Sequence, residues 1–538
     1  MASGGGAIVS MVTQHNDSSR TGVTVRETVL TPASVSGPEF GKLFTRSVDG
    51  EIYAQPLYLP QMTIPGKGTH NVVYVATMHN SVYAFDADQA TVTEPLWHRT
   101  LEPSIALPDT NIGPPGYADI AIEVGIVSTP VIDRGRNAIY VLTASKDTSD
   151  YSHWLHALDL TTGDDLFDGP TRIVATFPGT GDGSVNGQLT FTDHRQLQRS
   201  ALTLANNQVY AAFSSYGDAT PYHGWVIGFD ADTLQRTNVH VSTPNLSGGG
   251  IWMAGQGLAV DALGNLYYLS GNSTTEVTSP AWHPPDGTDL PESVVKLSPS
   301  LQVLDWFAPY NSKDLDRTDY DLGSAGPLLI PGTDRLLAGG KQSKFYELDT
   351  AALGGLQTGS TDRVPNFWVE PDSGYTDDPT KTKHIHGGPV TWTSTRGQWI
   401  YVWPENSVLR AYAYPFTITE QTCIPVSMST TNDPTGIPGG SPGMPGGFLS
   451  ISANGNDPES GIVWAAHPYL SNANQQVVDG ILRAYKASDL TQEIWNSKKD
   501  AARDDVGKFA KFCPPTIANG KVYLATFSNR LVVYGLEA

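Results

Sequence analysis

Residues Gly248–Asn272 read GGGIWMAGQGLAVDALGNLYYLSGN. A tight glycine run opens onto an apolar strand over Gly257–Val260, a turn spans Asp261–Asn265, and a second strand covers Leu266–Ser270. Alternating apolar and small residues on either side of Asp-Ala-Leu-Gly-Asn make the stretch a β-hairpin by pattern and turn chemistry. Variants of it recur through the whole chain, so one hairpin sets the architecture.

The first unit starts at Gln55-Pro56-Leu57, runs through NVVYVATMHNSVYAFDAD and ends near Trp97. The second runs from GIVSTPVID through NAIYVLTAS to WLHALDLTTGD, and the third through QRSALTL, QVYAAFSS and GWVIGFDADT. The opening hairpin begins the fourth, which finishes with VVKLSP and Trp306. SAGPLLI, RLLAGGK and KFYELD form the fifth, GGPVTW with WIYVWPENSVLRAYAY the sixth, and GGFLSIS, GIVWAAHP and ILRAYKASDLTQEIW the seventh. FCPPTIANGKVYLATFSNRLVVYGL supplies the eighth.

Units at intervals of roughly 60 to 75 residues, each with three clear strands and an outer fourth, predict an all-β, eight-bladed β-propeller of four-stranded antiparallel blades. The last unit stops after its third strand, and Phe40–Ser47 can supply the missing outer one. Pairing the two ends of the chain in this way closes the ring and leaves no long open edge. Residues 1–23 are expected to be an N-terminal extension, and residues 24–538 a single propeller domain. The Gly/Pro/Ser-rich stretch Asn432–Gly447 reads as a loop between blades, because unit spacing is kept across it.

Composition narrows the function. With 33 basic and 54 acidic residues among 538, the net charge of -21 argues against nucleic acid or an anionic membrane as partner. No apolar run approaches the roughly 20 residues needed to span a bilayer. Two cysteines, Cys423 and Cys513, are too few for a disulfide framework, and one bridge or two free thiols both fit. There is no C-x-x-C-H, so covalent c-type haem is excluded. MASGGG reads as an artificial start in place of a removed export signal, and low lysine with abundant Gly, Thr, Ser, Asn and Trp fits an extracytoplasmic (periplasmic or secreted) all-β protein.

The segments VYAFDADQATVTEPLW, LHALDLTTGDDLF and LRAYKASDLTQEIW resemble the tryptophan-docking repeat A-x-D-x-x-T-G-x-x-x-W of pyrroloquinoline-quinone (PQQ) propellers. Trp97, Trp306 and Trp495 fill the docking slot, and Phe167 substitutes in one unit. The resemblance implies the fold of quinoprotein alcohol dehydrogenases, although docking repeats specify fold far better than activity.

Finer resemblances lie at the ends of hairpins. LYYLSGN resembles the strand whose terminal Asn ligates the cofactor's metal, a role that falls on Asn272. SSYGDATPYHGW resembles the loop that supplies a carboxylate ligand, with Asp218 where the family has Glu. In TDYDLGSAGP, Asp319 resembles the catalytic base and Asp321 the extra carboxylate of the lanthanide-dependent branch. Lys341, in GGKQSKFYELD, stands where those enzymes hold a basic residue against the quinone. The resemblance thus implies PQQ with calcium or a lanthanide, and oxidation of an alcohol or sugar as a small-molecule or saccharide substrate. A hard cation needs such protein oxygens, and a carboxylate base beside it takes the alcohol proton. On an extended segment Asp319 and Asp321, two apart, point to one side.

The sequence also departs from the family. The adjacent cysteine pair of soluble methanol dehydrogenases is absent, with Glu123 and Val124 near the corresponding stretch, and Trp252 is out of register with the Trp on which the quinone stacks. His384-Ile385-His386 puts two imidazoles on one side of a strand, with His79, His223 and Lys511 at comparable hairpin ends or loops. Alternate histidines can bind a transition metal or serve as acid and base, which makes His386 a second catalytic candidate and His384, His223 and Trp252 candidates to contact a cofactor. Three classes stay open: a PQQ-type dehydrogenase, a cofactor-free carbohydrate-active lyase or hydrolase, and a non-catalytic binding scaffold. Asp218, Asn272, Asp319, Asp321, Lys341 and His386 are expected to converge at one end of the central axis.

Overall fold

The structure is a computed structural model and describes residues 9–370, 378, 380–430 and 437–537. The MASGGG start and the first part of the Asn432–Gly447 loop, through residue 436, lie outside the described residues.

Small antiparallel sheets form an eight-bladed propeller. The hairpin of Gly248–Asn272 becomes the two inner strands of the fourth blade, Ala259–Val260 and Leu266–Leu269, followed outward by Val294–Leu297 and Val303–Ala308. In the eighth blade Thr516–Ala518, Lys521–Leu524 and Arg530–Leu536 are completed by Phe40–Ser47, paired antiparallel from Phe40 opposite Leu536 to Ser47 opposite Arg530. Ring closure therefore follows the expected route.

Neighbouring blades are tied by a device written into their second strands. VVYVA, AIYVL, QVYAA, WIYVW and KVYLA each carry a tyrosine whose hydroxyl donates to a backbone carbonyl just past the third strand of the next blade. Tyr74 reaches Leu160 O at 3.0 Å, Tyr140 Ala231 O at 2.7 Å, Tyr210 Pro299 O at 2.8 Å, Tyr401 Ala487 O at 3.0 Å and Tyr523 Ala87 O at 3.4 Å. Each bond satisfies a buried polar group and contributes about 1 kcal/mol. The docking tryptophan adds packing: Trp97 Nε1 donates to Leu160 O at 2.9 Å, and its ring covers Gly163, where a Cβ would lie only 2.7 Å away.

The inner edges of the innermost strands would be left unpaired around the axis. The N-terminal segment fills them. Met11 pairs with Tyr58, and carbonyls of Val12, Ser18, Ser19, Thr21 and Gly22 accept N–H groups of Ile132, Val260, Leu329, Thr391 and Ile451, each on the inner strand of a different blade. Val23–Thr24 runs parallel to Ile451–Ser452. Arg20, wholly buried, donates to Thr203 Oγ1 in the third blade at 2.7 Å and to Leu258 O at 2.7 and 3.0 Å. Residues 11–24 thus plug the axis and are knitted into the ring. Cys423 and Cys513 are both free and buried, in different clusters of the core.

Candidate active site

On the other side of the inner strands the hairpin mouths open into one cavity of about 670 Å³. Asp218, Trp252, Asp319, Asp321, Lys341, His384 and His386 line it, and Asn272 joins them by donating its backbone N–H to Asp321 Oδ1 at 2.9 Å.

The centre of the acidic wall is a lysine between two aspartates. Lys341 Nζ lies 2.6 Å from Asp321 Oδ2 and 2.9 Å from Asp319 Oδ1. Asp319 ends the short helix Ser312–Thr318 in the left-handed conformation, φ 57° and ψ 38°, which Asp tolerates better than most residues. Asp321 then starts a 3-10 turn over Leu322–Ser324. This corrects the expectation of an extended Asp319–Asp321 segment: the carboxylates meet one ammonium because a helix cap reverses the chain, not because strand residues alternate. Lys341 is fixed by its own N–H, which donates to Asp321 O at 3.0 Å. The close approach needs Gly340, where a Cβ would lie 2.3 Å from Asp321 O.

Burial disfavours charge on Asp321 and Lys341, whereas the Asp319 side chain stands 61% exposed at the cavity mouth, and the mutual interactions of the three decide the outcome. The carboxyl of Asp319 is pushed up to about 7 by its poorly hydrated surroundings, opposed by Lys341 and reinforced by the Asp321 charge. Burial also acts against Asp321, but the Lys341 charge and the Asn272 N–H outweigh it and hold the carboxyl below its ordinary value. For Lys341 burial loses to the two carboxylates, and the ammonium is held well above its usual range. An ion pair therefore sits beside a carboxyl that is shifted upwards and open to the cavity.

Further acids surround the pair. Asp218 accepts from the Tyr222 hydroxyl at 2.5 Å, and burial, then the Asp321 charge, raise its carboxyl. Glu292, wholly buried, accepts the Leu322 N–H at 2.6 Å on Oε2, while Oε1 has no partner; burial raises it well above the carboxylate range. Asp316 binds Ser273 N and Trp282 Nε1, and burial pushes it up to about 7. The carboxamide oxygen of Asn272 is buried and has no hydrogen-bond partner.

The opposite wall is cationic and aromatic. The Arg199 guanidinium lies 4.5 Å over the ring of Phe512 and 5.7 Å from that of Trp252. Lys511 donates to Asp119 O at 2.6 Å and Asn474 O at 2.9 Å, and burial, then the Arg199 charge, bring it down to about 8. Among the described residues neither cation is ion-paired with a carboxylate.

A histidine cluster completes the lining. His384 Nδ1 stands 3.0 Å from Glu405 Oε1, and His386 Nε2 3.9 Å from Glu405 Oε2. Burial raises Glu405 to about 7 and lowers His386 to about 3, with Lys341 adding to the latter. Both imidazoles are neutral at neutral pH, since His384 is also held well below its ordinary value, chiefly by burial.

His223 does not join the cavity. Its ring nitrogens lie 3.0 Å from Thr243 O and 2.9 Å from Asp182 O, so the ring is enclosed by backbone, a correction to its expected place beside a cofactor. His79 pairs with Glu123 at 2.9 Å outside the lining. Glu405 and Arg199 were not singled out from the sequence. Glu405, in VWPENS after a second strand, holds the mouth position that Asn272 holds in LYYLSGN, and that analogy could have found it. Glu292 carries no local signal.

Comparison with solved structures gives the class of fold. A europium-containing methanol dehydrogenase matches with a TM-score of 0.60 at 14% identity, over 98% of this chain and 98% of that one. A quinohemoprotein alcohol dehydrogenase from Pseudomonas putida matches with 0.58 at 13% identity, over 98% of this chain and 80% of that one. Another from Comamonas testosteroni gives 0.54 at 14%, over 98% and 81%. The chain is an eight-bladed propeller with the fold of the PQQ quinoproteins, as its docking repeats implied. No family model and no curated protein matches the sequence. Among the described residues no helix is long and apolar enough to cross a membrane.

Proposed function

We propose that the cavity binds PQQ with a hard cation, calcium or a lanthanide, and oxidises a hydroxyl of an alcohol or sugar, outside the cytoplasm. Asn272 carries this reading: its buried carboxamide oxygen lacks a partner while its N–H is bound to Asp321. An unsatisfied buried oxygen costs about 1–3 kcal/mol, and a hard cation suits a donor set of carboxylate and carboxamide oxygens. Asp218, Asn272 and Asp321 would hold the ion, and the europium-containing methanol dehydrogenase is a precedent for a trivalent ion in this fold. Trp252 would offer a ring face, while Arg199 and Lys511 suit the carboxylates of the quinone.

The bound quinone would supply a two-electron acceptor for hydride. The chain's own residues do the rest. Asp319, with its carboxyl near 7, takes the hydroxyl proton, matched to neutral pH as a general base should be. Lys341 keeps Asp321 ionised and steadies the anion left on Asp319 when it is deprotonated.

A cofactor-free lyase or hydrolase is the second reading, favoured by the unpartnered Nε2 of His386 in the same cavity. Titration calorimetry with PQQ and calcium or a lanthanide separates the two. Binding of one quinone per chain at micromolar concentration supports the dehydrogenase; no binding with either ion overturns it.

A further inference from the structure

We propose that His384, His386 and Glu405 form a second metal site, for a borderline divalent ion such as Zn²⁺ or Co²⁺, in the wall of the cavity. This does not rest on the quinone reading.

One ring nitrogen from each histidine and a carboxylate oxygen of Glu405 lie within 4.8 Å of one another. A tetrahedral ion with bonds of ~2.0–2.1 Å needs its ligands about 3.3 Å apart. His384 Nδ1 stands 3.0 Å from Glu405 Oε1 and His386 Nε2 3.9 Å from Oε2, so a rotation of the carboxylate that brings one oxygen to both nitrogens closes the site.

An independent sign is that Nε2 of His386, in a residue only 6% exposed, is buried with no hydrogen-bond partner. A buried imidazole nitrogen without a donor or acceptor is costly, and a metal ion relieves that cost. The segment precedes the inner strand Val390–Ser394, and its two imidazoles lie with ring centroids 5.9 Å apart while Ile385 between them is fully buried in the core. Its carbonyl accepts from Ser324 Oγ at 2.8 Å, which fixes the segment. Lys341, a cation of the same cavity, is already paired with Asp319 and Asp321 and does not bar a second ion.

Donor chemistry sets the ion. Two imidazoles and one carboxylate suit zinc or cobalt, whereas the all-oxygen set of Asp218, Asn272 and Asp321 suits calcium or a lanthanide. All three ligands line the cavity, so the remaining coordination position opens onto it and would accept water or an oxygen of a bound small molecule.

The full chain, stripped by a chelator, is titrated with Co²⁺ and followed by its visible d–d absorption. One equivalent in a four- or five-coordinate site is expected. His386→Ala and Glu405→Gln should each weaken Co²⁺ at least ~100-fold, as loss of a direct ligand does. Asp321→Asn should leave it within about threefold, because that carboxylate belongs to the other set. Absence of Co²⁺ binding, equal loss in Asp321→Asn, or binding that survives His386→Ala would overturn the proposal. Should His386→Ala fail to fold, crystals of the unmutated chain soaked in Zn²⁺ decide: an anomalous peak between the three residues supports the site, and a peak elsewhere or none refutes it.

Discussion

Lys341 Nζ lies 2.6 Å from Asp321 Oδ2, with Asp321 buried and Lys341 largely so. The contact joins the mouth of the fifth hairpin to the segment that leads into it, and sets which acid of the cavity stays charged.

Lys341→Met should therefore be costly. It leaves Asp321 without its counter-ion near Asp319 and Asp218, and breaking a buried pair from one side costs about 3–5 kcal/mol. The double variant Lys341→Met/Asp321→Asn should recover most of that loss. Thermal melts of the three proteins check it; a single variant that melts with the parent would show that the pair is dispensable.

Asp319→Asn should lower dye-linked oxidation at least ~100-fold, the usual contribution of a positioned base. The amide keeps the shape of the side chain but cannot accept a proton at neutral pH. Quinone affinity should change little, because Asp319 is not in the ligand set. Measuring kcat beside quinone titration tests both halves, and unchanged turnover would assign the base elsewhere.

Arg20 offers a test of the axial plug. Its guanidinium also donates to Thr13 Oγ1 at 2.9 Å and Gln14 O at 2.8 Å. Arg20→Met should cost about 3 kcal/mol or more, since several buried carbonyl and hydroxyl oxygens lose their donor together. Deleting the first 50 residues should do worse, exposing the edge of Arg530–Leu536 and causing aggregation. A soluble truncated protein with the parent's melting curve would disprove the role of both segments.

Acid should weaken the fold through buried histidines. His240, whose Nε2 lies 2.7 Å from the Tyr268 hydroxyl, is pushed from 6.5 down to about 3 by burial. The unfolded chain takes up the proton first, so this contribution is complete above pH 6.5 and is lost as pH falls towards 3. The slope is about 1.4 kcal/mol per pH unit for one such group. His240→Gln should flatten the decline in melting temperature between pH 6 and 4 relative to the parent. Parallel curves would mean that this imidazole protonates without unfolding.

Strand alternation, turn residues and the docking tryptophans are local features, so the eight blades and the Phe40–Ser47 closure were legible in the sequence. Hairpin mouths were legible too, because each follows a readable strand, and most of the residues picked there do line the cavity. What lay beyond reach depends on contacts between distant parts of the chain. Arg20 meets Leu258 across 238 residues, and no local pattern announces that a polar N-terminal segment will pair the inner strands around the axis. Both Asp319 and Asp321 reach Lys341 through a helix cap that a D-Y-D motif does not reveal. His223 and His386 look alike in sequence, yet backbone carbonyls enclose the first while the second keeps a free, buried nitrogen. Sequence determined the blades, because strand periodicity is written residue by residue. Only the tertiary structure decided which side chains share the cavity and which carry charge there, because proximity and burial belong to the folded ring.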